Sequence, residues 1–282
     1  MERKDRQNKK GVWLSVDLQE LYKKIELPEE VCLAVERMQT DISEQMVFAL
    51  TEPQSAAKAY HQLVGKALPL NYGLDLLAWM LQAALYSHDA YVKRGISDVI
   101  YFDTMKCFTR FVNEHKINYG FYGFDRAFWV YRQLSLVLFR VGELEYEFTD
   151  CPQGVSLHIP SDADISIPRC QQSLMEFEDF CKTMFPKRMC RPIQLNSWLL
   201  SPALRNLLPP SSKIIKFQNC FCRTVWNKED TGFLQWIYGR KDIDLHDLPE
   251  KTRLQKNVKW HLLGGDKIGS ACGTLKGFDE NI

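Results

Sequence analysis

The chain has 282 residues, 45% of them hydrophobic and 25% charged, a composition that predicts a folded protein with room for two domains. The formal net charge is +1, so the composition gives no case for a nucleic-acid partner. No run reaches the roughly 18 consecutive apolar residues of a membrane-spanning helix, and the N-terminus lacks the apolar core of a signal peptide, so we expect a cytoplasmic protein without a membrane partner.

The first part of the chain, residues 1–118, is predicted to be a helical domain. Apolar residues recur at helical spacing in four segments. The first begins at Pro28, the second begins at Ser55, the third spans 74–92 and the fourth spans about 96–115. Proline suits the start of a helix and serine suits the N-cap. The segment that follows is rich in glycine and aromatic residues, and we place the boundary there, with the second domain at residues 119–282.

The second domain is predicted to begin with a helix and a hairpin. Apolar residues at helical spacing extend over 124–138, and Gly142 is placed to cap this helix. In 144–148 the period changes to two, because apolar residues alternate with glutamates. A turn with proline and glycine at 149–154 and a second alternating run from Val155 complete a β-hairpin.

The remaining sequence mixes helices and strands. A helix is predicted after Pro168, strands at 193–200 and 213–225, and an edge strand in the tail at 267–278. The fold class is therefore α+β, a helical N-terminal domain followed by a mixed α/β domain with at least one strand–helix–strand crossover.

A histidine at the end of a predicted strand is the main candidate for catalysis. In 155–159 apolar residues alternate with Ser156 and His158, and a loop then leads to the helix after Pro168. Histidine changes charge near neutral pH and could take a proton from an amine nucleophile, while the helix N-terminus could bind an anion. Alternatively, His158 is structural and hydrogen-bonds the neighbouring strand. Further candidates, as proton donors, are Ser197, Tyr146 and Tyr238.

The pattern of cysteines and histidines predicts no metal site. The nine cysteines contain no C-x-x-C motif, and Cys220 and Cys222 have no second ligand pair at zinc spacing. His61, His88 and His115 fall on predicted helices, but no two of them are four residues apart. We therefore expect no metal cofactor.

Several segments, in order, carry a resemblance to a known family. They are residues 119–121, 131–133, 138–145, 155–160, 170–174, 197–204, 207–209, 214–218 and 248–256. Together they resemble the two-domain bacterial acyltransferase-like proteins, in which a helical N-terminal domain precedes a GNAT-like (acyl-CoA N-acyltransferase) domain. Ordered motifs over a long stretch are more specific than any single short match.

The resemblance implies a central, mostly antiparallel splayed sheet whose middle strands, 155–159 and 193–200, separate to admit acyl-CoA or acetyl-CoA as cosubstrate. The helix after the first of these strands would present its N-terminus to the pyrophosphate. The implied cosubstrate contacts are Ile159, Arg169, Cys170 and Gln171. The implied reaction is acyl transfer to the amine of a small molecule or peptide, with His158 as base.

Two other functions stay open. The usual glycine-containing phosphate loop of the GNAT superfamily is replaced by residues 164–170, and Asp162 and Asp164 would repel a pyrophosphate. This difference favours a catalytically degenerate GNAT-like module that binds a small ligand or a protein partner. A third possibility is a structural interaction protein whose helical domain docks a partner.

Overall fold

The computed structural model of the protein describes residues 6–7, 13–14, 16–38, 42–149, 154–188 and 190–279. The chain forms two compact units, Met1–Arg140 and Val141–Ile282. The division therefore falls between Arg140 and Val141, whereas the sequence analysis placed the domain boundary at residues 118/119. Among the described residues, no helix combines the length and the apolar character needed to cross a bilayer.

The first unit is helical, as predicted. A short antiparallel pair of strands precedes the helices, β1 (Arg6–Gln7) and β2 (Trp13–Leu14). The helices are α1 (Leu18–Lys24), α2 (Glu29–Arg37), α3 (Glu44–Thr51), α4 (Ala56–Val64), α5 (Leu74–Lys93), α6 (Asp98–Met105), α7 (Cys107–Tyr119) and α8 (Ala127–Leu134). The four predicted segments correspond to five of these helices, α2, α4, α5, α6 and α7, because the segment 96–115 is divided between α6 and α7.

Helix α5 forms the buried centre of this unit. Its 20 residues include Leu77, Ala84 and Tyr91, whose side chains are completely buried. The hydroxyl group of Tyr91 donates to the Gln133 carbonyl group, and Ser87 donates to the Leu134 carbonyl group. These two buried hydroxyl groups of α5 thus find their partners at the end of α8, which fixes the two helices against each other.

The second unit begins in strand β3 (Leu138–Val141). The predicted helix over 124–138 is confirmed only in part, as α8 (Ala127–Leu134), and its predicted cap at Gly142 is wrong. Helix α8 ends at Leu134, and Gly142 lies in the turn after β3 with φ +62. A Cβ atom at Gly142 would lie 3.1 Å from the Ser173 backbone, so this position requires a left-handed turn without a side chain. Glycine signals either a cap or a turn, and the sequence did not distinguish them.

The later elements form a sheet covered by helices. They are β4 (Leu144–Phe148), β5 (Val155–His158), α9 (Ile167–Met184), β6 (Ile193–Ser197), α10 (Leu204–Leu207), α11 (Lys213–Asn219), β7 (Phe221–Asn227), α12 (Phe233–Tyr238), α13 (Arg253–Leu263) and β8 (Ser270–Leu275). The strand order is β3-β4-β5-β6-β8-β7. The pairs β4–β5, β6–β8 and β8–β7 are antiparallel and β5–β6 is parallel, which confirms the predicted mixed, mostly antiparallel sheet.

Two predicted strands were wrong in part. The segment 213–225 is helical in its first half, because α11 buries Phe217 and lets the Gln218 side chain donate to the carbonyl groups of Leu199 and Ser201. The segment 193–200 ends as a strand at Ser197, whose hydroxyl oxygen accepts from the Leu199 N–H and starts a 3₁₀ turn.

The strand predicted in the tail is confirmed as β8, but its predicted position at the edge is wrong, since β8 lies between β6 and β7. The surroundings of Gly273, inside β8, are consistent with this central position in the sheet. A Cβ atom at Gly273 would lie 2.9 Å from the Leu200 side chain and 3.2 Å from the Cys222 carbonyl oxygen. The strand is therefore enclosed on both sides, a property that alternation along one strand does not reveal.

The glycine before β8 generates a prediction. Gly269 and Gly265 both have positive φ, +66 and +87, and a side chain at either position costs roughly 1–2 kcal/mol in backbone strain. A Cβ atom at Gly269 would also lie 2.1 Å from the Asn227 carbonyl oxygen, whereas none of the described atoms lies within 4 Å of one at Gly265. We expect Gly269→Ala to lower the free energy of unfolding clearly more than Gly265→Ala, as measured by chemical denaturation. Equal losses would contradict this packing of β8.

Candidate active site

The strands β4 and β5 present two different faces. In their antiparallel register Tyr146 lies opposite Leu157, and Glu147 lies opposite Ser156. The Tyr146 ring stacks on Phe177 of α9 with ring centroids 3.8 Å apart and an interplanar angle of 4°. The apolar face is therefore packed under α9, and the alternation of side chains sends the polar ones to the opposite face. We call this the polar face; on β4 and β5 it consists of Glu145, Glu147, Ser156 and His158.

His158 contacts a carboxylate on this face. Its Nε2 atom lies 2.7 Å from Oε2 of Glu147, and both side chains are 20% exposed. The residue directly opposite His158 is Glu145, so the contact with Glu147 is diagonal across the two strands. Glu145 itself is almost completely buried. The arrangement places an imidazole and two carboxylates on one partly buried surface, where charge interactions are stronger than in water.

The two middle strands of the sheet separate after a short stretch of pairing. β5 and β6 pair at Val155 with Ile193 and at Ser156 with Gln194. Within the described residues the register goes no further, although each strand continues for at least two more residues. This is the splayed sheet that the family resemblance implied. The polar face continues onto β6 with Gln194, which is exposed.

Backbone groups point into the gap between the separated strands. The Val155 N–H donates to the Pro192 carbonyl group at 3.1 Å, so the backbone groups of Val155 point toward β6. Because these groups alternate along a strand, the carbonyl group of Leu157 and the N–H of Asn196 also point into the gap. A ligand inserted between the strands could form hydrogen bonds with both.

Helix α9 begins close to the carboxyl end of β5, after the loop 159–166. Ser166 occupies its N-cap, and among the described residues its side chain makes no capping hydrogen bond. The Ser166 N–H donates to Oδ1 of Asp164 at 3.0 Å, and Lys213 Nζ lies 2.8 Å from the same oxygen. The hydrogen bond from Lys213 holds the pKa of the Asp164 carboxyl group below its ordinary value. Lys213 thus offsets the negative charge that the sequence had placed beside this helix terminus.

The predicted cosubstrate contacts cluster around the start of α9. Arg169 and Gln171 are exposed in its first turns, and Ile159 is half-buried directly after β5. Cys170 is completely buried between them, and burial raises the pKa of its thiol to about 12. Only the exposed side chains among these can reach an anion in solvent, whereas Cys170 is buried and its N–H donates to the Ser166 carbonyl group.

Two of the other predicted catalytic residues, Ser197 and Tyr238, lie apart from His158. Ser197 is three positions beyond Gln194, so alternation directs its side chain to the face opposite the polar face. The Tyr238 hydroxyl group donates to the Gln255 carbonyl group at 2.7 Å, and burial raises the pKa of this phenol. Tyr238 belongs to a separate apolar cluster with Leu248 and Val258. The structure therefore does not bring either hydroxyl group to the imidazole.

The sequence analysis missed two residues of this site, Glu147 and Lys213. The signal for Glu147 was present, because it alternates with the apolar residues of β4 and a hairpin brings it onto the face of His158. Lys213 carried no comparable signal, since its segment was predicted to be a strand and it is 49 residues from its partner Asp164. In the part of the chain that the structure describes, no three His, Cys, Asp or Glu residues cluster in a way that could hold a metal ion.

Comparison with known proteins adds two family matches. A family model described as an N-acyltransferase N-terminal domain matches residues 16–136, and one described as a GNAT-like C-terminal domain matches residues 138–275. No curated protein sequence matches the chain at a significant level.

Solved acyltransferase structures share the fold. One, in complex with decanoyl-CoA and teicoplanin, is 20% identical with a TM-score of 0.81, and the match covers 96% of this chain and 89% of the other. A second, an acyltransferase mutant in complex with octanoyl-CoA, is 21% identical with a TM-score of 0.79 and covers 96% and 91%. A third, with CoA and 10C-teicoplanin, is 19% identical with a TM-score of 0.67 and covers 93% and 99%.

The burial of Cys170 generates a prediction about thiol reactivity. Its raised pKa keeps the thiol protonated, and the thiolate is the reactive form, whereas Cys222 is exposed. We expect N-ethylmaleimide to label Cys222 much faster than Cys170 in the native protein, as measured by peptide mass spectrometry. In denaturant the two rates should converge. Fast labelling of Cys170 in the native state would contradict the buried start of α9.

Proposed function

We propose that this chain, which belongs to the family that joins an N-acyltransferase N-terminal domain to a GNAT-like C-terminal domain, is an acyl-CoA-dependent N-acyltransferase. The observation that carries the proposal is the separation of the parallel strands β5 and β6 beside His158, with the N-terminus of α9 at the same end of β5. A thioester placed in this gap would lie next to a base and an anion-binding helix terminus. A cytoplasmic location stays a prediction from the sequence.

The donor is proposed to be an acyl-CoA. The acyltransferases of similar fold were crystallised with decanoyl-CoA, octanoyl-CoA or CoA, which supports this assignment. An amide N–H of the CoA arm suits the Leu157 carbonyl group in the gap. The pyrophosphate suits the N-terminus of α9, where Arg169 is exposed and Lys213 lies beside Asp164.

The acceptor is proposed to be the amine of a small molecule or peptide. His158 takes a proton from the ammonium group, and the freed nitrogen lone pair attacks the thioester carbonyl carbon. The C–N bond forms as the carbonyl π electrons move to oxygen, and the Asn196 N–H is placed to stabilise that oxyanion. When the C–S bond breaks, the thiolate takes the proton held by His158, and the second proton on nitrogen passes to solvent. The products are an amide and CoA.

This mechanism assigns no step to Ser197 or Tyr238, two of the three residues that the sequence suggested as proton donors; the third, Tyr146, is packed under α9 with its hydroxyl group 3.1 Å from Oγ of Ser173. The hydroxyl oxygens of Ser197 and Tyr238 already hold backbone partners, the Leu199 N–H and the Gln255 carbonyl group. Returning the proton from His158 to the thiolate closes the cycle without either residue.

The alternative is a GNAT-like module that binds acyl-CoA or another ligand without turnover. One observation favours it: Pro168 in the first turn of α9 lacks an N–H, so the helix terminus has fewer donors for a phosphate than most. Binding of acyl-CoA without amide formation from any amine would support this alternative.

Binding of the donor can be tested by thermal stability with CoA, acetyl-CoA, octanoyl-CoA and decanoyl-CoA. A ligand at one hundred times its Kd stabilises the fold by about 2.7 kcal/mol. We expect a shift with at least one acyl-CoA and about tenfold weaker binding in Arg169→Ala, because a charged hydrogen bond to phosphate is lost. Lys182→Ala removes a cation at the other end of α9 and should leave the affinity unchanged. The absence of any shift would contradict the proposed function.

The role of His158 can be tested by His158→Ala. We expect kcat for amide formation to fall roughly 10²–10⁴-fold, the usual contribution of a general base, while the thermal shift with acyl-CoA persists. Release of CoA and mass of the amide product would be measured with a panel of small-molecule and peptide amines. The matched control is His246→Ala, an exposed histidine in the same unit, which should retain wild-type kcat. An unchanged kcat in His158→Ala would contradict this mechanism.

A further inference from the structure

The carboxylate of Glu147 contacts the proposed base from the neighbouring strand. Residues diagonal to each other across antiparallel strands are farther apart than those directly opposite, so only long side chains meet. Glu147 nevertheless approaches His158 to 2.7 Å between Oε2 and Nε2, a distance typical of a charge-assisted hydrogen bond. Each side chain is only one-fifth exposed, so solvent competes little for the contact.

We propose that Glu147 is a positioning residue, which acts through His158 and not on the substrate. This inference rests on the proposed function, in which His158 is the base. An ionised carboxylate can only accept a hydrogen bond, so the contact places the imidazole hydrogen on Nε2. In the neutral ring the lone pair that takes the proton is then on Nδ1. Glu147 thereby selects both the orientation and the tautomer of the imidazole.

The same contact favours the charged intermediate. After His158 takes a proton from the acceptor, the ring carries a positive charge and holds hydrogen on both nitrogens. The negative charge of Glu147 at 2.7 Å stabilises this form, and Glu145 adds a second carboxylate directly opposite the histidine. The proton stays on His158 until the thiolate leaves, so Glu147 itself does not change protonation.

The first test is spectroscopic and needs no acceptor. The chain is labelled with ¹⁵N in its six histidine rings, and His158→Ala identifies the signal of His158. At about pH 9, where an ordinary imidazole is neutral, we expect the hydrogen on Nε2 in the wild-type protein. In Glu147→Gln we expect this preference to be lost, because an amide can either donate or accept. The same tautomer in both proteins would overturn the inference.

The second test separates charge from shape. We expect Glu147→Gln, which is isosteric, to lower kcat roughly 10- to 100-fold, part of the contribution of a general base, with the Kd for acyl-CoA unchanged. Glu147→Asp keeps the charge and should retain more activity than Glu147→Gln. The reverse order would overturn the inference, since it would mean that shape matters and not charge. Glu176→Gln removes the same charge from the exposed side of α9 and should behave as wild type.

These outcomes are distinguishable from failure of the proposed function. If His158→Ala loses activity and Glu147→Gln keeps both wild-type kcat and the wild-type tautomer, the inference fails and the function stands. If the wild-type protein forms no amide with any amine, the proposed function fails, and the spectroscopic test still decides whether Glu147 controls the imidazole.

Discussion

Burial of one face of the β4–β5 hairpin beneath α9 is the constraint on which the candidate site depends. Tyr146 and Phe148 must leave water, and the ring of Phe177 covers both. Side chains on a strand alternate, so burying these aromatic rings commits every second residue to the opposite face. His158 and Glu147 therefore face the same way as a consequence of core packing. The direction of α9 follows too, because a helix packed on this face after a short loop begins near the carboxyl end of β5.

The second feature that shapes the site is the separation of β5 from β6. Backbone groups that lose their strand partner must find another, since an unpaired buried N–H or carbonyl group is costly. A gap between parallel strands is therefore best maintained where a ligand or solvent supplies those hydrogen bonds. An acyl-CoA arm carries amide groups that could do so, while its thioester would lie near His158. The need to pair the backbone groups of the sheet and the proposed chemistry thus both favour a ligand in the gap between β5 and β6.

The local sequence pattern predicted many of the helices and strands. It failed where the same pattern is compatible with two different local structures. The helices of the first unit and the alternation in β4 and β5 were evident because their periods are distinct. Gly142 suits a helix cap and a tight turn equally well, and only its φ of +62 and its approach to Ser173 decide for the turn. In 213–225 the apolar residues suit a strand as well as a helix. The hydrogen bonds of Gln218 to two distant carbonyl groups favour the helix, and such contacts are not visible in a local window.

The sequence by itself determined that the chain is a helical domain followed by a mixed α/β domain, and that a histidine ends a half-buried strand, because hydrophobic periodicity and residue order are local properties. The alternation that places Glu147 and His158 on one face of a hairpin is also present in the sequence, although the sequence analysis did not connect the two residues. Only the tertiary structure decided that these two side chains meet diagonally, that Lys213 reaches Asp164, and that Ser197 and Tyr238 lie elsewhere. The physical reason is that such contacts join residues far apart in the chain, whose approach depends on the packing of whole elements.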